Sequence, residues 1–361
     1  MNTRTGTTDR RALRLMERVL RGGGELAAEY PLVFAPDAPG SLTTLGADGI
    51  VHSACATLVR DLAIGSERLR VGLIGSVATD PSERGRGLAT RVLELAEREL
   101  ARDGAVIALL WADDAEFYRR RGWREFGCEL DFAFDAAAVA RLPVRGTIRR
   151  AAPDDLGAVH RLYLRQKNRV ERTEAETRAL LAVPGMETLV LHEDRDVRAY
   201  ACLGRGADFA NTIHEWSGGP DDVLALVRAH FERLQGASAE VFLLAPGDAN
   251  ELASEARACG ARDWRGVLAL GKVIDPVAAA ERLSDWTRNE VRVDVDSTSG
   301  GEPRITLASA SGSVALRPND LLELLAPARG ECARVGELER ALDVSFARLP
   351  LTPFLWGLDS I

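Results

Sequence analysis

The chain has 361 residues, with 46 Lys and Arg against 54 Asp and Glu and a formal charge of −8. At roughly 150 residues per domain, that length spans two or three domains. The 46% hydrophobic and 28% charged fractions suit a globular protein with a sizeable core. The acidic balance argues against a general nucleic-acid binder, which presents a basic face. The longest notable apolar run, residues 105–112, falls far short of the ~20 residues that cross a bilayer. Residues 1–21 lack the apolar stretch of a signal peptide, so a cytoplasmic location is expected, with no membrane partner. Cys55, Cys128, Cys202, Cys259 and Cys332 form no C-x-x-C, and the five histidines form no H-x-x-x-H pair. Free thiols and no metal are therefore expected.

In chain order, residues 8–21 read as a short amphipathic helix closed by Gly22–Gly24. Thr43–Leu45, Val51–Val59 and Leu69–Ala78 read as strands, the first two joined at a G-A-D-G turn. Pro81 stops the third. A helix follows from Leu88 to about Arg102, with Leu88, Val92, Leu95, Ala96 and Leu100 as its apolar stripe. Ala105–Trp111 is a continuous apolar strand, Asp114–Arg121 a short helix and Trp123–Phe134 another strand. The pattern resets near residues 142–146. Strands at Thr188–Leu191 and Val197–Leu203, a helix at Pro220–Leu234, a strand at Glu240–Leu244, a helix at Asn250–Cys259 and a strand at Val267–Ile274 follow in an order like the first unit's. From Asp275 the chain reads as a helix, three short strands, two more helices and an aromatic tail. The fold class is α/β, with a mixed sheet, in three parts: 1–145, 146–272 and 273–361.

The informative motif is Arg84-Gly85-Arg86-Gly87-Leu88-Ala89-Thr90, between a strand and a helix. Gly85 and Gly87 permit a tight turn that aims successive N–H groups into one concavity. The helix beginning at Leu88 adds unsatisfied N–H groups and the positive end of its dipole. Arg84 and Arg86 add fixed charge. The combination suits a pyrophosphate. A nucleotide-binding P-loop is excluded: Gly266, Gly271 and Lys272 come near its spacing, but Val273 stands where Ser or Thr must bind magnesium. A dinucleotide fingerprint is excluded because Thr90 stands at its third glycine.

Arg84-x-x-Gly87-x-Ala89 resembles the [QR]-x-x-G-x-[GA] signature of the GCN5-related N-acetyltransferase (GNAT) superfamily. Phe117-Tyr118-x-x-x-Gly122-Trp123, about 30 residues on, is similar to that domain's aromatic ending. The resemblance covers roughly residues 5–140. It implies acetyl-CoA as co-substrate and no metal. Val77, Ala78 and Thr79 would carry the pantetheine arm, and residues 85–90 would bind the pyrophosphate. Asp113 and Asp114 lie where the cofactor passes, and Tyr118 would protonate the leaving thiolate. The whole plan resembles the enhanced-intracellular-survival type: tandem GNAT-like units, the second degenerate, then a small sterol-carrier-like domain. In that type the C-terminal carboxylate serves as base. Here it would belong to Ile361, with Asp359 or water as rivals. No acid stands on the strand Leu69–Ala78, and Asp80 reads as a turn cap.

The resulting expectation is an acetyl-CoA-dependent N-acetyltransferase in which a primary amine attacks directly within a ternary complex. A non-catalytic acetyl-CoA sensor or scaffold is the rival. The acceptor is a small-molecule or lysine-type amine, and a homo-oligomer stays open.

Overall fold

The computed structural model describes residues 2–6, 9–22, 25–194, 196–234, 240–287, 290–296, 303–328, 333–346 and 348–361. Its centre is a 13-stranded mixed sheet. In chain order the strands are β1 (Asn2–Gly6), β2 (Ser41–Ala47), β3 (Ile50–Ile64), β4 (Glu67–Thr79), β5 (Ile107–Leu110), β6 (Arg124–Asp135), β7 (Thr147–Arg150), β8 (Asn168–Val170), β9 (Glu187–Glu193), β10 (Asp196–Arg205), β11 (Asp208–Ser217), β12 (Glu240–Pro246) and β13 (Arg262–Val273). Their spatial order is β1-β2-β3-β4-β5-β13-β6-β12-β11-β10-β9-β7, with β8 on the edge of β3. A separate three-stranded sheet holds β14 (Arg292–Asp296), β15 (Arg304–Ala308) and β16 (Ser313–Leu316). Cys332 lies outside the described residues. Cys55, Cys128, Cys202 and Cys259 are free, the first and third of them buried.

The two halves of the large sheet repeat one plan. In each, an antiparallel run ends in a parallel pair, β4 with β5 and β11 with β12. The next strand beyond each parallel pair comes from the other half. β13 pairs with β5 from Leu270↔Leu110 to Val273↔Ile107, and β6 pairs with β12 from Glu240↔Asp135 to Pro246↔Glu129. β6 and β13 also pair with each other. The halves therefore share one hydrogen-bonded ladder, and a core containing Phe126, Phe132, Phe134, Leu243 and Leu268 runs beneath the exchange.

Helix Leu88–Arg102 lies on β3 and β4, burying Leu88, Val92, Leu93, Ala96 and Leu100. Leu93, rather than Leu95, completes the stripe. Beyond β16, Asn319 ties the C-terminal part to the sheet. Its Oδ1 accepts from Val273 N at 2.9 Å, and its Nδ2 donates to Gly122 O at 2.9 Å. The tail after Leu349 is buried, with Phe354, Trp356 and Leu358 each at most 1% exposed. Such burial of large apolar side chains is worth roughly 2 kcal/mol each, so the tail is a packed part of the fold. Among the described residues no helix is long and apolar enough to cross a membrane.

Candidate active site

β4 and β5 pair only at Val71–Leu73 with Ile107–Leu109 and then part. The cause is local. Between Ala54↔Ala78 and Ala56↔Gly75 the β3 register slips, so β4 carries an extra residue there. Ser76 sits in the left-handed region at φ 49°. A bulge of this kind bends its strand, and here it leaves the β5-side edge of residues 74–79 facing a cleft. That cleft encloses about 1220 Å³.

At one end the strand turns through Pro81–Glu83 into the glycine segment. Gly85 and Gly87 have φ of +77° and +74°, and a Cβ at either would meet no protein atom within 4 Å. The demand for glycine is thus one of backbone conformation, and the space above it stays open to the cleft. Gly87 is the N-cap of helix Leu88–Arg102, so free N–H groups of the first turn point there. Val77, Thr79, Arg84, Gly85, Gly87, Leu88, Ala89 and Thr90 line the cleft. Ala78 is buried away from it, and Arg86 turns aside to pair with Glu83. Thr90 Oγ1 accepts from Arg121 Nε at 2.8 Å, and the Arg121 guanidinium lies 3.6 Å from the centre of the Phe117 ring. The donors suit an anion: main-chain N–H groups, a helix terminus and Arg84. Asp113 and Asp114 also line the cleft, but the Asp114 carboxylate accepts from Phe117 N at 3.2 Å as a helix cap. Asp80 likewise caps its turn, accepting from Ser82 N at 3.0 Å while pairing with Arg18.

Tyr118 and the tail residues Leu355, Gly357, Ser360 and Ile361 line the same cleft. The Tyr118 ring packs edge-on to Phe117 and Trp123 at 5.0 and 6.2 Å. Burial, assisted by nearby Cys55, pushes its phenol up to about 12, so it keeps its proton throughout the neutral range. Ile361 reaches the centre of the sheet: a Cβ at Gly75 would overlap its carboxyl group. Asp359 points elsewhere. Its carboxylate is buried against Arg172 and Tyr163, at 2.6 and 3.0 Å, and does not line the cleft.

The sequence reading does not single out Glu129 and Asp131, yet both matter to this cleft. They alternate on β6, so both project from one sheet face, and Glu129 lines the cleft beside Leu244 and Leu268. Burial pushes Glu129 up to about 8, with Asp131 adding repulsion, and burial pushes Asp131 up to about 6. Gly266 lies opposite Glu129 on β13, and a Cβ there would come within 2.7 Å of Asp131 Oδ2. The signal available in the sequence is two acids at period two within the otherwise apolar stretch 126–134. From the second half, Asp208 and Phe209 also reach the cleft. The Asp208 carboxylate accepts from Tyr30 Oη and from Arg21, both at 2.6 Å.

The equivalent parting in the second half is built differently. After Ile213↔Leu243 the strands β11 and β12 diverge, and Trp216 Nε1 bridges the gap to Leu244 O at 2.8 Å. The following helix starts at Pro220 with Gly219 in extended conformation, without the paired left-handed glycines of residues 85–87. Among the described residues, no group of three or more His, Cys, Asp or Glu is placed to hold a metal ion.

A parted parallel strand pair, a left-handed glycine turn and a helix N-terminus beside a half-buried tyrosine define an acyltransferase fold. Residues 41–126 match the family model described as an acetyltransferase (GNAT) domain. The whole chain shares its fold with solved structures at low identity. One, from Enterococcus faecalis V583, is described as a conserved protein of unknown function and probable N-acyltransferase. It has a TM-score of 0.71 at 13% identity, over 99% of this chain and 100% of that one. A GCN5-related N-acetyltransferase from Anabaena variabilis has a TM-score of 0.66 at 12% identity, over 100% of both chains. Eis1 from Mycobacterium abscessus has a TM-score of 0.62 at 17% identity, over 98% of this chain and 99% of that one. The resemblance to the tandem, enhanced-intracellular-survival plan thus extends along the whole chain. No curated protein matches it in sequence.

Proposed function

We propose that the chain is an acetyl-CoA-dependent N-acetyltransferase acting on a primary amine in a ternary complex. Residues 1–145 would bind acetyl-CoA, 146–272 would serve as a degenerate companion unit, and 273–361 would close the assembly. Acetyl-CoA supplies the acetyl group as a thioester. The N–H groups of residues 85–90, with Arg84, hold its pyrophosphate, and the unpaired edge of Val77 and Thr79 receives its amide arm. The α-carboxylate of Ile361 takes a proton from the amine. The freed amine nitrogen then bonds to the carbonyl carbon as the carbon–sulfur bond breaks, and it sheds its second proton to solvent to leave the amide. Tyr118 Oη gives its proton to the departing thiolate, and both groups re-equilibrate with solvent. A phenol held protonated to about 12 remains a donor at every working pH.

The observation that carries this reading is the meeting, in one cleft, of Tyr118, the Ile361 carboxyl and the glycine cradle. A non-catalytic acetyl-CoA sensor needs only the cradle. The amine can be a small molecule or a lysine side chain. The test is incubation with acetyl-CoA and a panel of primary amines, following free thiol and the product's gain of one acetyl group. Acetyl-CoA binding without amine-dependent thiol release would instead support the sensor.

A further inference from the structure

The last residues are held from below by two arginines of the second half, both buried. The Arg172 side chain has no solvent exposure. Its Nε donates to Asp359 Oδ1 at 2.6 Å, and its Nη1 and Nη2 donate to the two oxygens of Glu215 at 3.2 and 2.6 Å. Tyr163 stacks on that guanidinium at 3.9 Å and donates its hydroxyl to Asp359 Oδ2 at 3.0 Å. Tyr200 Oη donates to Glu215 at 3.0 Å. Arg205, 1% exposed, uses Nη1 to donate to Gly357 O at 2.6 Å, Ser360 O at 3.0 Å and Ser360 Oγ at 3.1 Å. Its other face stacks on Tyr30 at 4.1 Å. Trp356 Nε1 donates to Asn168 O at 2.9 Å.

Two guanidinium groups and two carboxylates thus lie in one buried cluster whose charges balance. Burying them costs several kcal/mol of desolvation per ion, so such clusters add little net stability. Apolar side chains of similar volume would hold the tail onto the sheet as firmly. What the cluster adds is direction. Hydrogen bonds fix residues 357, 359 and 360 in turn, and a chain pinned at three of four consecutive positions leaves its next residue little freedom. That next residue is Ile361, whose carboxyl lies against Gly75 at the bulge of β4.

We propose that Arg205 and Arg172 are positioning residues for the transfer reaction: they fix residues 357–360 so that the Ile361 carboxylate meets the incoming amine. This rests on the reading of that carboxylate as the base. It also gives the second half, which lacks the glycine cradle, a task in the first half's chemistry. The two arginines come from β10 and from the segment after β8, and neither lines the cleft.

The test measures steady-state turnover, pH profile and thermal melting for the wild type, Arg205→Met, Arg205→Lys, a chain ending at Ser360, and that shorter chain with Arg205→Met. Expected are a loss of kcat on the order of 10²-fold for Arg205→Met and no change in KM for acetyl-CoA. Arg205→Lys, which keeps a charged donor nitrogen, should fall between and keeps the test open if Arg205→Met fails to fold. The acid-side limb of the kcat profile should flatten in Arg205→Met as it does in the shorter chain. In the shorter chain, Arg205→Met should cost no further turnover. Losses that multiply in the double variant would make Arg205 a stability residue only and overturn the inference, while the base reading would stand. Full turnover in the shorter chain would remove the base and the inference together.

Discussion

Gly75→Ala tests the position of the Ile361 carboxyl with a single methyl group. Gly75 lies within β4 and has no left-handed φ, so its backbone accepts alanine. Gly→Ala at a compatible position stabilises by about 0.4–1 kcal/mol through the unfolded chain. Here the gain is opposed, because the new Cβ would overlap the carboxyl carbon and oxygen of Ile361 and reach 3.0 Å from its Cγ1. Real Cβ contacts essentially never fall below 3.0 Å. The atoms facing the methyl are the carboxyl itself, so the carboxyl must withdraw, by about 1 Å, and a misplacement of that size costs ~10²-fold in rate. The assay is amine-dependent thiol release under saturating acetyl-CoA, with melting as the folding control. The account predicts that kcat falls about 10²-fold while KM for acetyl-CoA holds. In a chain ending at Ser360 the same substitution should cost nothing, since the clashing group is gone. Wild-type turnover in Gly75→Ala would mean that the Ile361 carboxyl takes no part in the transfer at that position.

Three further outcomes follow from the same geometry. Gly87→Val imposes a β-branched side chain at φ +74° and should abolish the thermal shift produced by CoA; a retained shift would remove the glycine turn from cofactor binding. Glu129 keeps its proton in the fold to about pH 8 but ionises near 4.5 when unfolded. Across that window the unfolded state therefore binds fewer protons, and stability falls as pH rises. Glu129→Gln should gain on the wild type in melting temperature from pH 4.5 to 8; a constant difference across that range would show that Glu129 is not held protonated. Trp356→Ala opens a cavity where the ring packs against Trp216 and Phe354 at 5.2 and 4.8 Å. It should cost about 3–5 kcal/mol in denaturant unfolding; a cost below ~1 kcal/mol would mean the tail is not integral to the core.

Much of the local structure is legible in the sequence because it is written locally. Apolar and β-branched runs mark β2 to β4, and Leu88, Val92, Ala96 and Leu100 mark the helix after the glycines. Arg84 to Thr90 and Phe117 to Trp123 announce the cleft because a left-handed turn and a packed aromatic leave residue-level traces. The strand Asp208–Ser217 goes unread in the sequence, since His214 and Glu215 break its apolar pattern. Its reason is tertiary: Glu215 is buried because Arg172, 43 residues earlier, neutralises it. The exchange of β6 and β13 leaves no mark either, because strand chemistry does not name its partner. The family resemblance points to Asp114 as a cleft acid and passes over Glu129. One is spent on capping a helix, while the other is left in an apolar setting by the glycine opposite it.

The most direct test of the central claim is the single-turnover rate of amine-dependent thiol release from bound acetyl-CoA, comparing Tyr118→Phe with the wild type. The ring's packing against Phe117 and Trp123 survives that change, so CoA binding and melting should be unaltered. The account predicts a rate lower by roughly 10²-fold or more, the usual contribution of a positioned proton donor. Equal rates in the two proteins would contradict it.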